Sequence, residues 1–217
     1  MIQSKLALIG SFVILCICMS LYFPFPNNVR LNARTTFMSF PIRDQAGYIP
    51  LGIMGAILFI IALILLFKGL KKYHFRTILV VLILYAFLPK LLITAYQETV
   101  ASGIRAISYD SNGKCNFESV GQKIANGECE LVLHNRSNEA VSFELEFIDS
   151  FFIEDGVRME SLMNLAGPYS ITIEANRIEP IRFKELLDLS DVPKHIESGE
   201  SSGIHFKLTD GEKTRTL

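Results

Sequence analysis

Apolar and polar positions divide this chain into two regimes. Through residues 1–96 the apolar positions form long runs, Leu6 to Phe23, Leu51 to Phe67 and Ile78 to Tyr96, whereas through residues 97–217 they alternate with polar ones. A hydrocarbon core of roughly 30 Å needs about 20 mostly apolar helical residues, with about 17 as the lower limit. All three runs reach that length. The middle one carries no charged side chain, and a helical backbone there satisfies all its hydrogen bonds internally, as lipid requires. The pattern predicts three transmembrane helices, with spans at about 6–23, 51–67 and 78–96, in a membrane region covering residues 1–96. A buried helix of a soluble protein explains one such run but not its recurrence.

Beyond the third run the period shortens to two. Cys129 to His134 and Val141 to Phe147 alternate as half-buried strands do, and the second buries Val141, Phe143, Leu145 and Phe147 on one face. Between them Asn135-Arg-Ser-Asn-Glu139 is a polar turn, so the two strands are expected to form a hairpin. Further strands are predicted at Arg105 to Tyr109, Phe151 to Ile153, Tyr169 to Ile173, Ile178 to Phe183 and Ile204 to Leu208. Asp210-Gly211 is a hairpin signal that returns the chain as Glu212 to Leu217 beside the preceding strand. Short strands separated by turns predict an all-β domain over residues 97–217, an immunoglobulin- or fibronectin-like β-sandwich with Greek-key connections. The chain has no Trp, so the Trp-and-disulfide core of antibody domains is not reproduced.

Charge follows the same partition. Residues 1–96 carry 9 Lys and Arg against one acid, Asp44, a net of +8; residues 97–217 carry 12 Lys and Arg against 21 Asp and Glu, a net of −9. Cationic short connections mark the cytoplasmic side. Lys68, Lys71, Lys72 and Arg76 crowd the link between the second and third runs, which is therefore expected inside. Lys5 agrees, while the sparser Arg30, Arg34 and Arg43 pull the other way. The resulting topology has a cytoplasmic N-terminus, a connection at 24–50 outside, and the acidic domain delivered outside the cytoplasm. The first run also has the shape of a signal peptide, although no A-x-A-like site follows it. Cys16 and Cys18 raise a lipoprotein reading, but bulky residues precede both, and two small apolar residues in a helix are the simpler description. Lys90 is the one ionisable group within a run and is a functional candidate on that account. It is close enough to Tyr96 to snorkel to the headgroups, and Pro89 beside it predicts a bend.

Candidate chemistry is sparse. Cys115 and Cys129 are the cysteines of the β domain, and an even count outside the cytoplasm permits one disulfide, with two buried free thiols as the alternative. His74, His134, His195 and His205 share no metal-ligand spacing, so neither a zinc site nor a cofactor is expected. Asp110-Ser-Asn-Gly113 lacks the acids of a calcium loop and reads as a turn. Ser198-Gly-Glu-Ser-Ser-Gly203 reads as a polar loop rather than a nucleophile elbow. Gly52-Ile-Met-Gly55 is no phosphate loop, but its small residues would let helices approach. Asn135-Arg-Ser137 matches a glycosylation acceptor and reads as turn chemistry. A domain at −9 excludes nucleic acid as a partner.

The order Leu51-Gly-Ile-Met-Gly, Lys71-Lys-Tyr-His-Phe-Arg76, Ala101-Ser-Gly-Ile and Gly127-Glu-Cys-Glu-Leu resembles uncharacterised small three-span membrane proteins of spore-forming Gram-positive bacteria with an Ig-like outer domain. That resemblance implies location and architecture, and no activity, cofactor or catalytic residue. The expected protein is a non-enzymatic, multi-pass plasma-membrane protein. Besides the lipid bilayer, its outer sandwich would bind an envelope protein, peptide or wall component. The alternative is an accessory subunit of a membrane transport complex, in which the spans and Lys90 act. A membrane enzyme would need an outer carboxylate pair, and Glu144, Glu146 and Glu154 read instead as solvated strand faces.

Overall fold

Helices form where the apolar runs are long, and strands where the period is two. The computed structural model describes residues 3–21, 35–38, 40–43, 47–121, 123–149, 156–211 and 213–217. Two units pack separately, Met1–Ala95 and Tyr96–Leu217, which places the division one residue before the sequence boundary.

The first unit contains α1 (Lys5–Leu21), β1 (Thr35–Phe37), β2 (Phe40–Arg43), α2 (Pro50–Gly69) and most of α3 (His74–Thr99). Pro50 opens α2 at the position where a missing N–H leaves nothing unpaired. α2 buries Gly52, Gly55, Ala56, Ala62 and Gly69, small residues that allow close backbone approach. Ser11 Oγ donates to the Ala62 carbonyl at 2.8 Å, and a Cβ at Gly69 would sit 2.7 Å from Leu8 Cγ. At Gly52 a Cβ would overlap the Pro41 carbonyl. That approach reveals what the sequence pattern of the 24–50 connection does not show. β1 and β2 pair antiparallel, and Phe40 of β2 is buried 5.7 Å from the Phe59 ring and 6.4 Å from Tyr85. One aromatic side chain docked on helices is too local a signal for periodicity to detect. The outward sides of the helices expose Leu6, Phe12, Ile57, Ile64, Phe87 and Leu91. α2 and α3 are each long and apolar enough to cross a bilayer, while α1, with 17 residues, is shorter. α3 continues through Pro89 and extends beyond the expected span at both ends.

In the second unit a 3-10 helix at Gly103–Ala106 leads into β3 (Ile107–Tyr109), β4 (Lys114–Gly121), β5 (Ile124–Asn135) and β6 (Val141–Ile148). A 3-10 helix at Glu160–Leu165 precedes β7 (Tyr169–Ile173), β8 (Ile178–Asp188), β9 (Gly199–Ser202), β10 (His205–Asp210) and β11 (Lys213–Thr216). One sheet runs β11-β10-β6-β7; in the other, β5 is flanked by β8 along one edge and by β3 and β4 along the opposite edge, with β9 outside β4. Every pairing between these strands is antiparallel. Cys129, Leu131 and Leu133 of β5 share one core with Phe143, Leu145 and Phe147 of β6, Ile173 of β7, and Phe206 and Leu208 of β10. Each such side chain, fully buried, contributes about 1.5–3 kcal/mol.

The expected hairpin between Cys129–His134 and Val141–Phe147 does not form. Those segments belong to β5 and β6, which lie in different sheets, and 136–140 is a crossover between them. Both alternate inward, as predicted, but toward a shared core from opposite sides. The buried Asn135 carboxamide fixes the crossover: its Nδ2 lies 2.8 Å from the Glu139 carbonyl, 3.0 Å from Ile173 O and 3.1 Å from Glu174 O. Its Oδ1 accepts from the Ser137 amide and hydroxyl. The acceptor motif is thus turn chemistry.

Other boundaries shift. Of Arg105–Tyr109 only Ile107–Tyr109 is strand, because the preceding residues coil into the 3-10 helix. Ser198–Gly203 is not a loop throughout: Gly199–Ser202 is β9, held by the β4 ladder rather than by propensity. β4 itself was not predicted. The Asp210-Gly211 turn forms, with Asp210 paired to Lys213 and Gly211 at φ 62°. The strand expected at Phe151–Ile153, and Glu154, lie outside the described residues.

Cys115 and Cys129 are register partners, both fully buried, and are joined in a disulfide. Cys16 and Cys18 are free thiols. Alkylation of the denatured, unreduced chain should label Cys16 and Cys18 alone, and reduction should add Cys115 and Cys129; mass spectrometry reads the difference. Replacing Cys115 and Cys129 with Ala should cost about 3 kcal/mol in denaturant unfolding. Asn135→Ala, which strands buried carbonyls, should cost about 3 kcal/mol in the same measurement, whereas the exposed Asn138→Ala should stay within about 0.5 kcal/mol.

Candidate interaction surface

The sandwich presents two outward sheet faces and a set of edges. On the β5 sheet, the outward positions form cross-strand charge rows. Lys114, Glu130 and Arg182 stand opposite one another, and below them Asn116, Glu128 and Lys184. The Arg182 guanidinium meets Glu130 at 2.7 Å and Lys184 Nζ meets Glu128 at 3.8 Å. These pairs are largely exposed, so each is worth about 0.2–1 kcal/mol and organises the face more than it stabilises it. The other sheet's outer face carries hydroxyls: Ser142 and Thr172 hydrogen-bond at 2.8 Å and, with Glu144, Ser170, Thr209 and Asp210, line an open depression of about 430 Å³. Glu146, two residues further along, is engaged by Lys207 at 2.6 Å.

The edges differ in length. β7, β9 and β11 have 5, 4 and 4 residues, while β8 has 11 and, among the described residues, pairs only with β5. Its geometry can be read from the disulfide neighbours. The Cα atoms of Cys115 and Cys129 are 4.1 Å apart, the close spacing of a non-hydrogen-bonded antiparallel pair. The Cys129 N–H and C=O therefore point to Phe183, and the even-numbered residues of β8 turn their backbone groups outward. Pro180 falls in that outward set, where its missing N–H costs no ladder bond. Beside this edge the Phe183 ring lies 4.4 Å from Tyr169 of β7 and 5.4 Å from Phe147 of β6, closing the core between the sheets. Burial, and then Glu185, push the Tyr169 phenol up to about 12, so it remains a neutral donor to Met163 O at 2.9 Å.

Asn135 marks one end of β5, and there the last turn of α3 and the last strand join the sandwich. Gln97 Nε2 donates to the carbonyls of Arg105 and Ile107, while Glu98 pairs with Arg136 at 2.8 Å. Arg215 of β11 is buried and donates through Nη1 to the carbonyls of Ile104, Arg105 and Ile107 at 2.7–2.9 Å. Burial, and then Arg105, lower its pKa to about 10, which leaves it charged at neutral pH. Nearby, burial and then Arg136 lower the His134 pKa, favouring neutral imidazole. At the opposite end of β5, Val120, Ile124 and Leu186 are exposed. Ser119, Lys123, Ile124, Leu189, His195 and Glu197 line a depression there of about 390 Å³.

Lys68, Lys71, Lys72 and Arg76 all project into the open at the α2–α3 link, and Arg76 stacks 5.6 Å over the Tyr73 ring. Lys90 is exposed on α3. No group of three or more metal-ligating side chains occurs among the described residues. Asp110–Gly113 is a turn whose Gly113 amide donates to the Tyr109 hydroxyl at 2.9 Å. Gln97, Asn135 and Arg215 were not singled out as structural anchors by sequence, since a buried polar residue among backbone carbonyls leaves no periodic trace. Comparison with protein-family models, curated proteins and solved structures finds no match to this chain.

Arg215→Leu should lower unfolding stability by about 3 kcal/mol, because buried carbonyls lose their donor. Arg182→Ala should change it by no more than about 1 kcal/mol in the same denaturation experiment.

Proposed function

We propose that this chain is a multi-pass membrane protein that presents an acidic binding module outside the cytoplasm. The observation that carries the reading is a set of helices with exposed large aliphatic side chains in a chain that also folds a β unit with its own core. Lipid is the solvent that such helix surfaces suit, and α1, α2 and α3 serve as the spans. The cationic Lys68, Lys71, Lys72 and Arg76 hold their link in the cytoplasm. An odd number of spans then carries the β unit to the other side, where the Cys115–Cys129 disulfide suits an oxidising compartment.

The β unit is an immunoglobulin- or fibronectin-like sandwich in this reading. Its support is the strand order, β11-β10-β6-β7 against β8-β5-β4, with the crossover at Asn135 supplying the Greek-key step. Binding of an envelope protein, peptide or wall component, rather than catalysis, is the function such an anchored sandwich with an open sheet edge fits best. A second reading, an accessory subunit of a transport complex, draws on α3. That helix leaves most of its side chains unburied, and Lys90 lies exposed on it.

Protease added to intact cells or spheroplasts should cut beyond Tyr96 while a cytoplasmic control survives; protection of the β unit would overturn the topology. Lys90→Leu should leave membrane abundance and phenotype unchanged if Lys90 only snorkels, and loss of phenotype at normal abundance would favour the transport reading.

A further inference from the structure

The open edge of β8 has a definite chemical pattern. Arg182 and Lys184 have side chains 74% and 67% exposed, and Leu186 is 68% exposed. All three belong to the residues whose backbone N–H and C=O face away from β5. Their existing partners Glu130 and Glu128 occupy only the β5 side of each cation. Across the sheet the first row already alternates, Lys114, Glu130, Arg182, and it stops at this edge on a cation. The inward-facing Ile181 of β8 and Ile171 of β7 are half-buried against the core at the same side of the sandwich. A strand laid beside β8 would complete their cover.

We propose that the β8 edge captures an extended acidic peptide segment. Its side chains alternate so that carboxylates stand opposite Arg182 and Lys184, an apolar residue opposite Leu186, and β-branched residues over Ile181. This deepens the reading of the β unit as a binding module and rests on it. Backbone hydrogen bonds supply the attachment, and the cross-strand pairs supply the choice of partner. The other edges are too short to give comparable purchase, and on the opposite sheet Lys207 lies on β10, an inner strand paired on both sides, where it is engaged by Glu146.

The test uses the full chain in detergent micelles and a fluorescein-labelled peptide containing Leu-Thr-Glu-Val-Glu-Val, read by anisotropy. Its control has Lys in place of both Glu. The Glu peptide should bind about tenfold more tightly than the Lys peptide, the scale expected of two cross-strand charge pairs. Arg182→Glu combined with Lys184→Glu should reverse that order. Lys184→Pro, which removes an outward N–H and leaves the ladder to β5 intact, should weaken the Glu peptide. Equal affinity for both peptides, or an unchanged order in the double variant, would overturn the inference. So would a doubling of molecular mass in light scattering that the double variant abolishes, since the occupant would then be a second copy. If the peptide fails while photocrosslinkers elsewhere on the β unit capture an envelope component, the edge assignment falls and the binding-module reading stands. If both fail, the broader reading falls with it.

Discussion

The β unit depends on where one carboxamide sends the chain. Asn135 ends β5, and its side chain holds carbonyls from the crossover and from the end of β7. A polar loop between two alternating strands would ordinarily close a hairpin, because the turn then satisfies itself with neighbouring strand backbone. Here Asn135 satisfies the turn internally and also reaches the other sheet, so the chain leaves one layer for the next. β5 is thereby freed to pair along both edges, and β6 to become the middle of the opposite sheet. The strength of that anchor comes from burial: a carbonyl deprived of its donor in the interior loses its water as well.

Periodicity conveys much of this architecture but not its connectivity. The inward positions Val141, Phe143, Leu145 and Phe147 were legible because a period of two held over four repeats fits a half-buried strand and little else. The apolar runs were legible as helices because their length far exceeds that of an ordinary strand. Pairing was not, since a strand facing a core from either sheet has the same pattern. β4 and β9 escaped notice because their stability is borrowed from neighbours, β4 from β5 and the disulfide and β9 from β4, rather than displayed in their own residues. Gln97, Asn135 and Arg215 illustrate a further limit. Each is an ordinary polar residue until the fold surrounds it with carbonyls, and nothing local distinguishes it from a solvated one. The surface is intermediate: Arg182 and Lys184 could be read as outward, but that β8 is an edge emerges only from the sheet order.

The helical unit follows a different physical logic. Its close approaches are made by glycine and alanine along α2, by a serine hydroxyl on a helix carbonyl, and by a cluster of three rings, Phe40, Phe59 and Tyr85. Most of its large aliphatics are left on the outside, whereas in the β unit most are gathered within. On the proposed membrane reading, two solvents are encoded in one chain, with large apolar side chains turned toward lipid in the helical unit and away from water in the β unit.

The arrangement of β8 along β5 also has a mechanical consequence. Register pairs run from Ile178 opposite His134 to Asp188 opposite Ile124, so tension along β8 would load the whole ladder in shear rather than open it one bond at a time. The disulfide joins β4 to β5 and reinforces the strand that receives this load. A tether attached along β8 would therefore resist tearing far better than its few exposed charge pairs suggest. Pulled at right angles, the same ladder would peel from one end like a zip.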